Sequence, residues 1–319
     1  MHIFQEKGSI SVSLSPVATV SAMADWETAF YVILNTGPAI LGSCANLLII
    51  ISFFAVNTSR QPTEIPLVSL SLADFLVCSV YQPLLVLRFI NLSISPIYMS
   101  SFGYVVMTAS MTGLLVVNFD RFSAIYFPYK YMTWMTEKRT IWLVTVSWVI
   151  SLSSGLLIVS KFSVASRITH SYISLIIVLV PLMYGVIYKE ARKQARRIVS
   201  DSLPSSQSNL PNRRNTIDKA TMMVGLVLVT TLACWMPVTL IPLLQSTFNT
   251  EEEFEKAFWW CLTVACANSC VNPFIYVYML TKFRRSVGKL IHLTHERTLG
   301  STFYLSALSY CLSHSLLCF

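Results

Sequence analysis

The sequence predicts an all-α membrane protein, a bundle of seven transmembrane helices followed by a short amphipathic cytoplasmic helix. Charged residues make up only 12% of the 319-residue chain, about half of the roughly 25% found in soluble domains. The mean hydropathy is +0.61, which points the same way. Seven apolar stretches are each long enough, at about 20 residues or more, to cross a bilayer core about 30 Å thick as a helix.

The apolar stretches divide the chain into spans, loops and termini. The predicted spans are residues 28–54, 66–90, 97–124, 140–160, 171–190, 220–245 and 256–279. The predicted organisation is an extracellular N-terminus (1–27), a seven-helix domain (28–279) with a cytoplasmic loop (191–218), an amphipathic helix (280–293) and a cytoplasmic tail (294–319). No cleavable signal peptide is recognisable at the start, so we expect the first span to act as the insertion signal.

The basic residues predict the orientation of the bundle. Most of the 23 Lys and Arg residues follow the first, third, fifth and seventh spans. Cytoplasmic loops carry such an excess of positive charge. We therefore expect a multi-pass plasma-membrane protein with an extracellular N-terminus and a cytoplasmic C-terminus. The net charge of +8 then reflects topology, and no nucleic-acid partner is expected.

The connections between the spans differ in composition. Residues 161–170 are predicted to form a short loop of about ten residues between the fourth and fifth spans. The loop 191–218 begins with ARKQARR, a cationic helical extension, and continues with Ser, Pro and Asn residues typical of a flexible segment. After the seventh span, TKFRRSVGKLIH sets apolar against basic residues. This pattern predicts an amphipathic helix lying on the membrane lipid of the inner leaflet.

A few polar residues stand out within the spans. Asp74 is the only acid deep inside one. A charge at that depth is costly and indicates either a functional site or a protonated aspartate hydrogen-bonded between helices. Other spans carry further markers, namely Asn46 after Gly42, the pair Asp120–Arg121, Trp148, CWMP at 234–237 and NPFIY at 272–276.

Taken together, these markers resemble those of the rhodopsin-like (class A) G-protein-coupled receptors, over residues 28–292. The third span has DRF where the family has DRY, and NPFIY matches the family's NPxxY. The resemblance implies a receptor that passes an extracellular signal to a heterotrimeric G protein, with arrestin and a receptor kinase as further partners. It also implies that Arg121 pairs with Asp120 at rest and is freed when the sixth helix moves outward.

The resemblance assigns roles residue by residue. The coupling and activation residues that it implies are Asp120, Arg121, Phe122, Tyr184, Trp235, Pro237, Asn272, Pro273 and Tyr276. It implies a sodium pocket formed by Asp74, Ser110, Asn268 and Asn272, beside Trp235. A hard cation prefers such oxygen ligands and would neutralise the buried carboxylate, and no other cofactor is expected. The alternative for Arg121 is an arginine that simply extends to the membrane interface.

The chain departs from the family at several positions. Pro96 stands where most members have a disulfide-forming cysteine, and residues 161–170 contain no cysteine, so no such bridge is expected. Ile217 replaces an acid near the cytoplasmic start of the sixth helix, although the adjacent Asp218 is a possible substitute. The short second extracellular loop and the residues after DRF loosely resemble the melanocortin branch. Asn272 stands where those receptors carry an aspartate, and melanocortin peptides are not expected as ligands.

The ligand is left open by the sequence. Gly103 stands where amine receptors carry an aspartate, and Cys266 stands where opsins carry the retinal lysine. Neither a cationic amine nor retinal is therefore expected. The candidate ligand contacts are Tyr81, Gln82, Arg88, Gly103 and Trp259. Arg88 would either bind an anionic group or extend to lipid headgroups.

Two other classes of function were weighed against the receptor. A transporter or channel would need a charged path or broken helices in two matching halves, and the chain has one deep acid and no inverted repeat. An intramembrane enzyme would need a histidine cluster, a Ser–Lys pair or an acid dyad within the spans, and none is recognisable. No catalytic residue is therefore predicted.

Two kinds of covalent modification are predicted outside the spans. Asn91 begins an Asn-Leu-Ser sequon at the predicted extracellular end of the second span, and we expect it to be glycosylated. Cys311 and Cys318 lie in an apolar tail that follows a basic helix, which favours lipid anchoring. A disordered, unmodified tail is the alternative.

Overall fold

The computed structural model describes residues 25–55, 62–90, 95–160, 162–200, 210–279 and residue 288, with only the backbone described for 25, 55, 132, 162–163, 165, 194–200, 210–221, 223–224 and 277–279. Several predictions fall outside these residues. They are the N-terminal segment before residue 25, the sequon at Asn91, the tail cysteines Cys311 and Cys318, and the amphipathic helix 280–293 apart from Gly288, which is helical.

The described chain folds into seven long helices, numbered first to seventh in chain order. They are Asp25–Ala55, Pro62–Phe89, Pro96–Tyr126, Glu137–Ser160, Phe162–Ser200, Leu210–Leu240 and Glu251–Met279. Within the described residues, six helices are long and apolar enough to cross a membrane. The seventh has a comparable length of 29 residues and buries the polar Asn268, Ser269 and Asn272. The predicted all-α membrane bundle is confirmed.

The third helix lies at the centre of the bundle. In its central stretch 67% of the residues are buried, against 28% in the fourth, fifth and sixth helices. It packs against the second, fourth and fifth helices, while the seventh packs between the first and the sixth. The third helix therefore contacts three neighbours. Ser110 and Asp120 are buried among them, whereas the Arg121 side chain is 20% exposed.

The second helix contains a wide turn that shifts its later residues. It begins with a 3-10 turn (Pro62–Glu64), continues as an α-helix (Ile65–Leu76), widens to a π-turn (Val77–Tyr81) and ends as an α-helix (Gln82–Phe89). Pro83 follows the π-turn, and a proline removes one N–H and displaces the carbonyl four residues before it. The Gln82 amide accordingly bonds to the Val77 carbonyl, five residues back. One extra residue rotates the following segment by about 100°.

A single residue separates the fourth and fifth helices, where a connection over 161–170 was predicted. The fourth ends at Ser160 and the fifth already begins at Phe162, so the expectation of a loop over this stretch is wrong. His170 Nδ1 lies 2.7 Å from the Ser166 carbonyl one turn earlier, and Thr169 is buried. Both residues therefore lie within the fifth helix, where composition suggests a loop.

The segment between the fifth and sixth helices is also more helical than predicted. The fifth helix continues to Ser200 and the sixth begins at Leu210, so most of the stretch 191–218 is helical. The cationic extension ARKQARR is part of the fifth helix, as its composition indicates. The Ser- and Pro-rich residues 201–209 lie outside the described residues.

Gly42 allows the first, second and seventh helices to approach one another closely. A Cβ atom at this position would lie 2.4 Å from Cys78 Sγ and 3.1 Å from the Cα of Cys270. A Cβ contact of 3.1 Å is tighter than nine in ten real ones, so a larger residue would require the seventh helix to shift by a few tenths of an ångström. One turn later, Asn46 Nδ2 donates to the Ser269 carbonyl at 3.0 Å. The two contacts hold the first helix against the seventh near the centre of the bundle.

Candidate functional site

Asp74 lies at the meeting point of three helices in the bundle. Its side chain is fully buried. Oδ1 accepts hydrogen bonds from Ser110 Oγ and Ser269 Oγ, both at 2.7 Å, and Oδ2 accepts one from Asn272 Nδ2 at 2.8 Å. Ser110 is on the third helix, and the other two donors are on the seventh. A buried carboxylate is costly unless it is hydrogen-bonded, and here both oxygens are satisfied from outside the second helix.

The four residues expected to form the sodium pocket are not all brought together. Ser110 and Asn272 contact Asp74, but Asn268 Oδ1 instead accepts a bond from Thr231 Oγ1 of the sixth helix, at 3.5 Å. The described part of the chain contains no cluster of three or more His, Cys, Asp or Glu residues. The oxygens around Asp74 are of the kind that sodium prefers. Asn272 Oδ1, buried without a partner among the described residues, fits a cation next to the carboxylate.

Asp120 and Arg121 form a second polar site at the predicted cytoplasmic end of the third helix. Arg121 Nε lies 3.6 Å from Asp120 Oδ2, an ion pair that is longer than a hydrogen bond. Tyr131 Oη donates to Asp120 Oδ1 at 2.7 Å, and Arg121 Nη2 lies 3.5 Å from the Thr63 carbonyl of the second helix. Asp120 is buried, whereas the Arg121 side chain is 20% exposed. The arginine therefore has access to the surface at this end.

Tyr131 belongs to a short helix, Pro128–Trp134, that we call the loop helix. Burial, followed by the nearby Asp120 carboxylate, raises the pKa of the Tyr131 hydroxyl. The hydroxyl therefore stays protonated, and remains a donor, throughout the physiological pH range. Ile217 and Asp218, at the start of the sixth helix, lie where only the backbone is described.

The other residues implied in activation pack inside the bundle, on the third, fifth, sixth and seventh helices. Trp235 is buried two residues before Pro237. Tyr276, three residues after Pro273, is fully buried. Tyr184 packs against both buried apolar clusters of the bundle, and its hydroxyl lies against Gly225 of the sixth helix. Phe122 stacks on Tyr126, with ring centres 5.3 Å apart, and packs against the apolar cluster nearer the predicted cytoplasmic end.

A cavity opens near the predicted extracellular end of the bundle, with an empty volume of about 760 Å³ counted to its open side. Its walls include the predicted contacts Tyr81, Gly103 and Trp259, together with Tyr104 and Trp235. Its described lining contains no Asp, Glu, Lys or Arg. Such a cavity suits an uncharged, aromatic body better than a cation.

Gly103 is needed because the Tyr81 ring occupies the space beside it. A Cβ atom at position 103 would lie 2.5–2.6 Å from the Tyr81 ring and hydroxyl. An aspartate there, as amine receptors have, would therefore displace Tyr81. This packing explains in physical terms why the position carries no acid.

Arg88 and Gln82, the other two predicted ligand contacts, are buried outside the cavity lining. Arg88 is only 7% exposed, so it does not extend to lipid headgroups. Its guanidinium carbon lies 5.1 Å from the centre of the Trp259 ring, and its Nη1 donates to Met99 Sδ at 3.9 Å. Arg88 Nη2 and both amide atoms of Gln82 have no hydrogen-bond partner among the described residues. The wide turn that precedes them accounts for their inward rotation.

Comparison with known proteins identifies the family. The model of the seven-transmembrane receptors of the rhodopsin family matches residues 45–166 and 159–276. The chain belongs to this family. The receptor is 25% identical to Adenosine receptor A2a of Canis lupus familiaris over 312 residues, which cover 85% of this chain and 74% of that protein. It is 27% identical to Adenosine receptor A2b of Gallus gallus over 307 residues, which cover 82% and 88% of the two chains.

A further relative is Trace amine-associated receptor 365 of Petromyzon marinus. It is 24% identical over 275 residues, which cover 76% of this chain and 73% of that protein. The predicted function as a G-protein-coupled receptor is confirmed, and such receptors are multi-pass plasma-membrane proteins. The narrower likeness to the melanocortin branch stays a prediction.

Two contacts of the receptor's polar sites were missed at the level of sequence. Ser269 bonds directly to Asp74, and its position three residues before Asn272 places both on one face of the seventh helix. Helical periodicity was therefore a usable signal for Ser269. Tyr131 bonds to Asp120 from outside the third helix, through the docking of the loop helix. No local pattern indicates that contact.

Proposed function

We propose that the receptor is activated by a small ligand with an uncharged aromatic body, held in the cavity between Tyr81, Tyr104 and Trp259. The observation that supports this proposal most directly is the position of Trp235. This side chain is a wall of the cavity and also part of the sixth helix, two residues before Pro237. A ligand that contacts Trp235 acts on the helix whose outward movement the family uses to admit a G protein.

The direction of signalling follows from the proposed orientation of the bundle, with its N-terminus outside the cell. The cavity then opens to the extracellular side, and Arg121 lies at the cytoplasmic mouth. Asp74 lies between the two sites, hydrogen-bonded to the third and seventh helices. A sodium ion held by Asp74, Ser110, Ser269 and Asn272 would supply positive charge that keeps these helices together in the resting receptor. Outward movement of the sixth helix would then release Arg121 to the G protein.

The proposed ligand class agrees better with some relatives than with others. The names of two relatives indicate adenosine, an uncharged molecule with an aromatic ring, and the name of a third indicates amines. A cationic amine needs a negatively charged partner in a water-poor cavity. Position 103 cannot supply that partner, because the Tyr81 ring fills the space beside Gly103. We therefore infer that amines are poor ligands for this receptor.

A second ligand class is supported by Arg88. A buried guanidinium with an unpartnered Nη2 is costly, because each unpaired donor loses its bond to water. Glu255 interacts with it electrostatically, and the Trp259 ring covers one of its faces. If Trp259 turns when a ligand enters, a carboxylate on that ligand would reach Arg88. The second candidate ligand is thus an aromatic acid.

The partners beyond the G protein are proposed from the family alone. Arrestin and a receptor kinase would act at the cytoplasmic loops and tail of the receptor. We propose no enzymatic role, since the family is one of receptors.

The experiment that tests the ligand proposal is a screen in cells with a G-protein activation readout. Matched sets of uncharged aromatic compounds, aromatic acids and aromatic amines are applied to the wild type and to Arg121→Ala, which should bind ligand but not signal. We expect hits among the uncharged compounds or the acids, and loss of their binding in Trp259→Ala. Hits confined to amines, or hits that bind Trp259→Ala unchanged, would overturn the assignment.

Arg88 separates the two ligand classes within the same screen. Arg88→Gln keeps the volume of the side chain approximately but removes its charge. An acid ligand should lose roughly tenfold or more in affinity in this variant, as expected for a charge-assisted hydrogen bond. An uncharged ligand should bind with little change, because Arg88 lies behind Trp259.

A further inference from the structure

A second cavity of the receptor lies far from the ligand cavity, at the predicted cytoplasmic end. It is a groove between the third helix, the loop helix and the start of the fourth helix, with an empty volume of about 890 Å³ counted to its open side. Phe119, Phe127, Trp134 and Trp142 are among its walls. The proposed ligand site does not use this groove.

The groove faces outward from the bundle at the level where the spans end. The third span ends at Tyr126 and the fourth begins at Glu137. Phe119 is 43% exposed, Trp134 49% and Trp142 64%. Aromatic side chains are enriched at this depth, where acyl chains meet headgroups. The surroundings of such a groove in a bilayer are lipid, so the first occupant to consider is a lipid chain.

Basic residues surround the mouth of the groove. Arg139 is itself a wall, and its Nη1 donates to the Trp134 carbonyl at 3.2 Å. Lys130 Nζ lies 5.5 Å from the centre of the Trp134 ring, and Lys138 is exposed beside Arg139. Glu137 is an exposed acid at the same end, so these four side chains together remain positive. Asp120 is buried, is not part of the groove lining, and is engaged by Tyr131 and Arg121.

We propose that this groove binds an anionic phospholipid of the cytoplasmic leaflet. One acyl chain lies between Trp134, Trp142 and Phe119, and the phosphate lies against Arg139 with Lys138 or Lys130 beside it. An arginine already aligned by its bond to the Trp134 carbonyl presents its remaining N–H groups to phosphate oxygens. The proposal uses the proposed orientation of the bundle, but it does not depend on which ligand fills the extracellular cavity.

The proposed lipid site would be linked to the Asp120–Arg121 pair through Tyr131. The same side chain is a wall of the groove and the donor to Asp120 Oδ1. A lipid that packs against the loop helix holds Tyr131 in place. The composition of the leaflet would in this way act on the Asp120–Arg121 pair without any change in the extracellular ligand.

The test uses the full-length receptor purified into nanodiscs of phosphatidylcholine that contain increasing fractions of phosphatidylserine with brominated acyl chains. Bromine quenches the fluorescence of tryptophans in contact with the chain, such as Trp134 and Trp142. Brominated phosphatidylcholine in a matched series gives the reference for a neutral headgroup. We expect quenching at a several-fold lower fraction of phosphatidylserine than of phosphatidylcholine.

Charge variants locate the site. Arg139→Gln should reduce the preference for phosphatidylserine about fivefold, the ratio that corresponds to about 1 kcal/mol for one basic residue near an anionic lipid. Lys189→Gln removes the same charge from an exposed position of the fifth helix and should leave the preference unchanged. If Arg139→Gln is unstable, the double variant Lys130→Gln/Lys138→Gln tests the same mouth while keeping the bond from Arg139 to the Trp134 carbonyl.

The outcomes distinguish a specific lipid-binding site from the general attraction of anionic lipids to basic residues. Equal quenching by the two lipids would overturn the proposal, as would an equal loss of preference in Lys189→Gln. Removal of quenching in Trp134→Phe/Trp142→Phe shows that the contacted chain lies in the groove. Quenching that persists unchanged in this double variant places the lipid elsewhere and rejects the site.

Discussion

Among the described residues of the receptor, two aspartates are buried, and they are held in opposite ways. Asp74 accepts three hydrogen bonds of 2.7–2.8 Å, from side chains of the third and seventh helices. Asp120 accepts one hydrogen bond, from the loop helix, and faces Arg121 of its own helix at 3.6 Å. Asp120 Oδ2 and Arg121 Nε have no hydrogen-bond partner among the described residues. The first aspartate links helices, whereas the second pairs with its neighbour in sequence.

The difference shows how one buried charge can hold a structure together while another remains ready to move. Three strong bonds from two other helices resist any separation of the second, third and seventh helices around Asp74. A long ion pair stores little energy when one partner reaches solvent, and Arg121 does. Releasing Arg121 therefore costs less than disturbing Asp74, as a switch at the cytoplasmic end requires.

The largest expected effect comes from removing each carboxylate in turn. Asp74→Ala would leave three buried donors unsatisfied, at a cost of about 1–3 kcal/mol each, and we expect a total of roughly 4 kcal/mol. Asp120→Ala would leave the Tyr131 hydroxyl and the partly exposed Arg121 without their partner, and we expect a loss of stability of about 2 kcal/mol. Thermal unfolding of the purified variants in one detergent measures both. Equal destabilisation would contradict the distinction between the two sites.

Tyr131→Phe tests how much of the second site depends on the loop helix. The variant removes one hydrogen bond to a carboxylate and keeps the ring, so we expect a loss of about 2 kcal/mol. The pKa of the hydroxyl is raised in the fold, so its contribution to stability is complete below the ordinary tyrosine value of 10.0. It is lost only as pH rises through the folded pKa.

The control is the pH dependence of unfolding between about 6 and 9. The difference in stability between the wild type and Tyr131→Phe should be constant over that window. A difference that shrinks toward pH 9 would mean that the hydroxyl ionises in the fold, contrary to its buried position beside Asp120.

The dependence of agonist affinity on sodium should distinguish the Asp74 site from the Asp120 site. If the ion binds beside Asp74, agonist affinity in the wild type should change roughly tenfold between sodium-free and sodium-containing buffer, a usual size for allosteric coupling. Asp74→Asn should abolish that change, and Asp120→Asn should preserve it. Radioligand or fluorescent-ligand binding with choline as the replacement cation measures the effect. A wild type insensitive to sodium would reject the ion site.

The family and the order of the helices were predictable because both depend on information local to each segment. Hydropathy identifies a span without reference to its neighbours, and Asp74, Asp120–Arg121 and the NPFIY motif lie within single spans. The inward positions of Arg88 and Gln82 were not predictable by counting turns, because the π-turn at Val77–Tyr81 rotates everything after it. A proline two residues later is a local sign of such a turn, but it does not indicate its width.

The remaining misses involve contacts between segments that are distant in sequence. The fifth helix begins at Phe162, in a polar stretch whose composition does not distinguish a helix from a loop. The Tyr131–Asp120 bond depends on where the loop helix docks. The pairing of Asn268 with Thr231, rather than with Asp74, depends on how the sixth and seventh helices are rotated against each other.

The smallest effect comes from comparing a bond that the sequence analysis missed with the contact that Asn268, a predicted sodium-pocket residue, makes with Thr231. Ser269→Ala removes a 2.7 Å bond to a buried carboxylate, and we expect a loss of about 1.5–3 kcal/mol. Thr231→Val keeps the shape of the side chain and removes only the 3.5 Å contact with Asn268, so the loss should stay near 0.5 kcal/mol, the lower end for a hydrogen bond. Thermal unfolding of the two variants gives the ranking. If Thr231→Val were the more damaging change, Asn268 rather than Ser269 would be the seventh-helix residue on which the polar core around Asp74 depends.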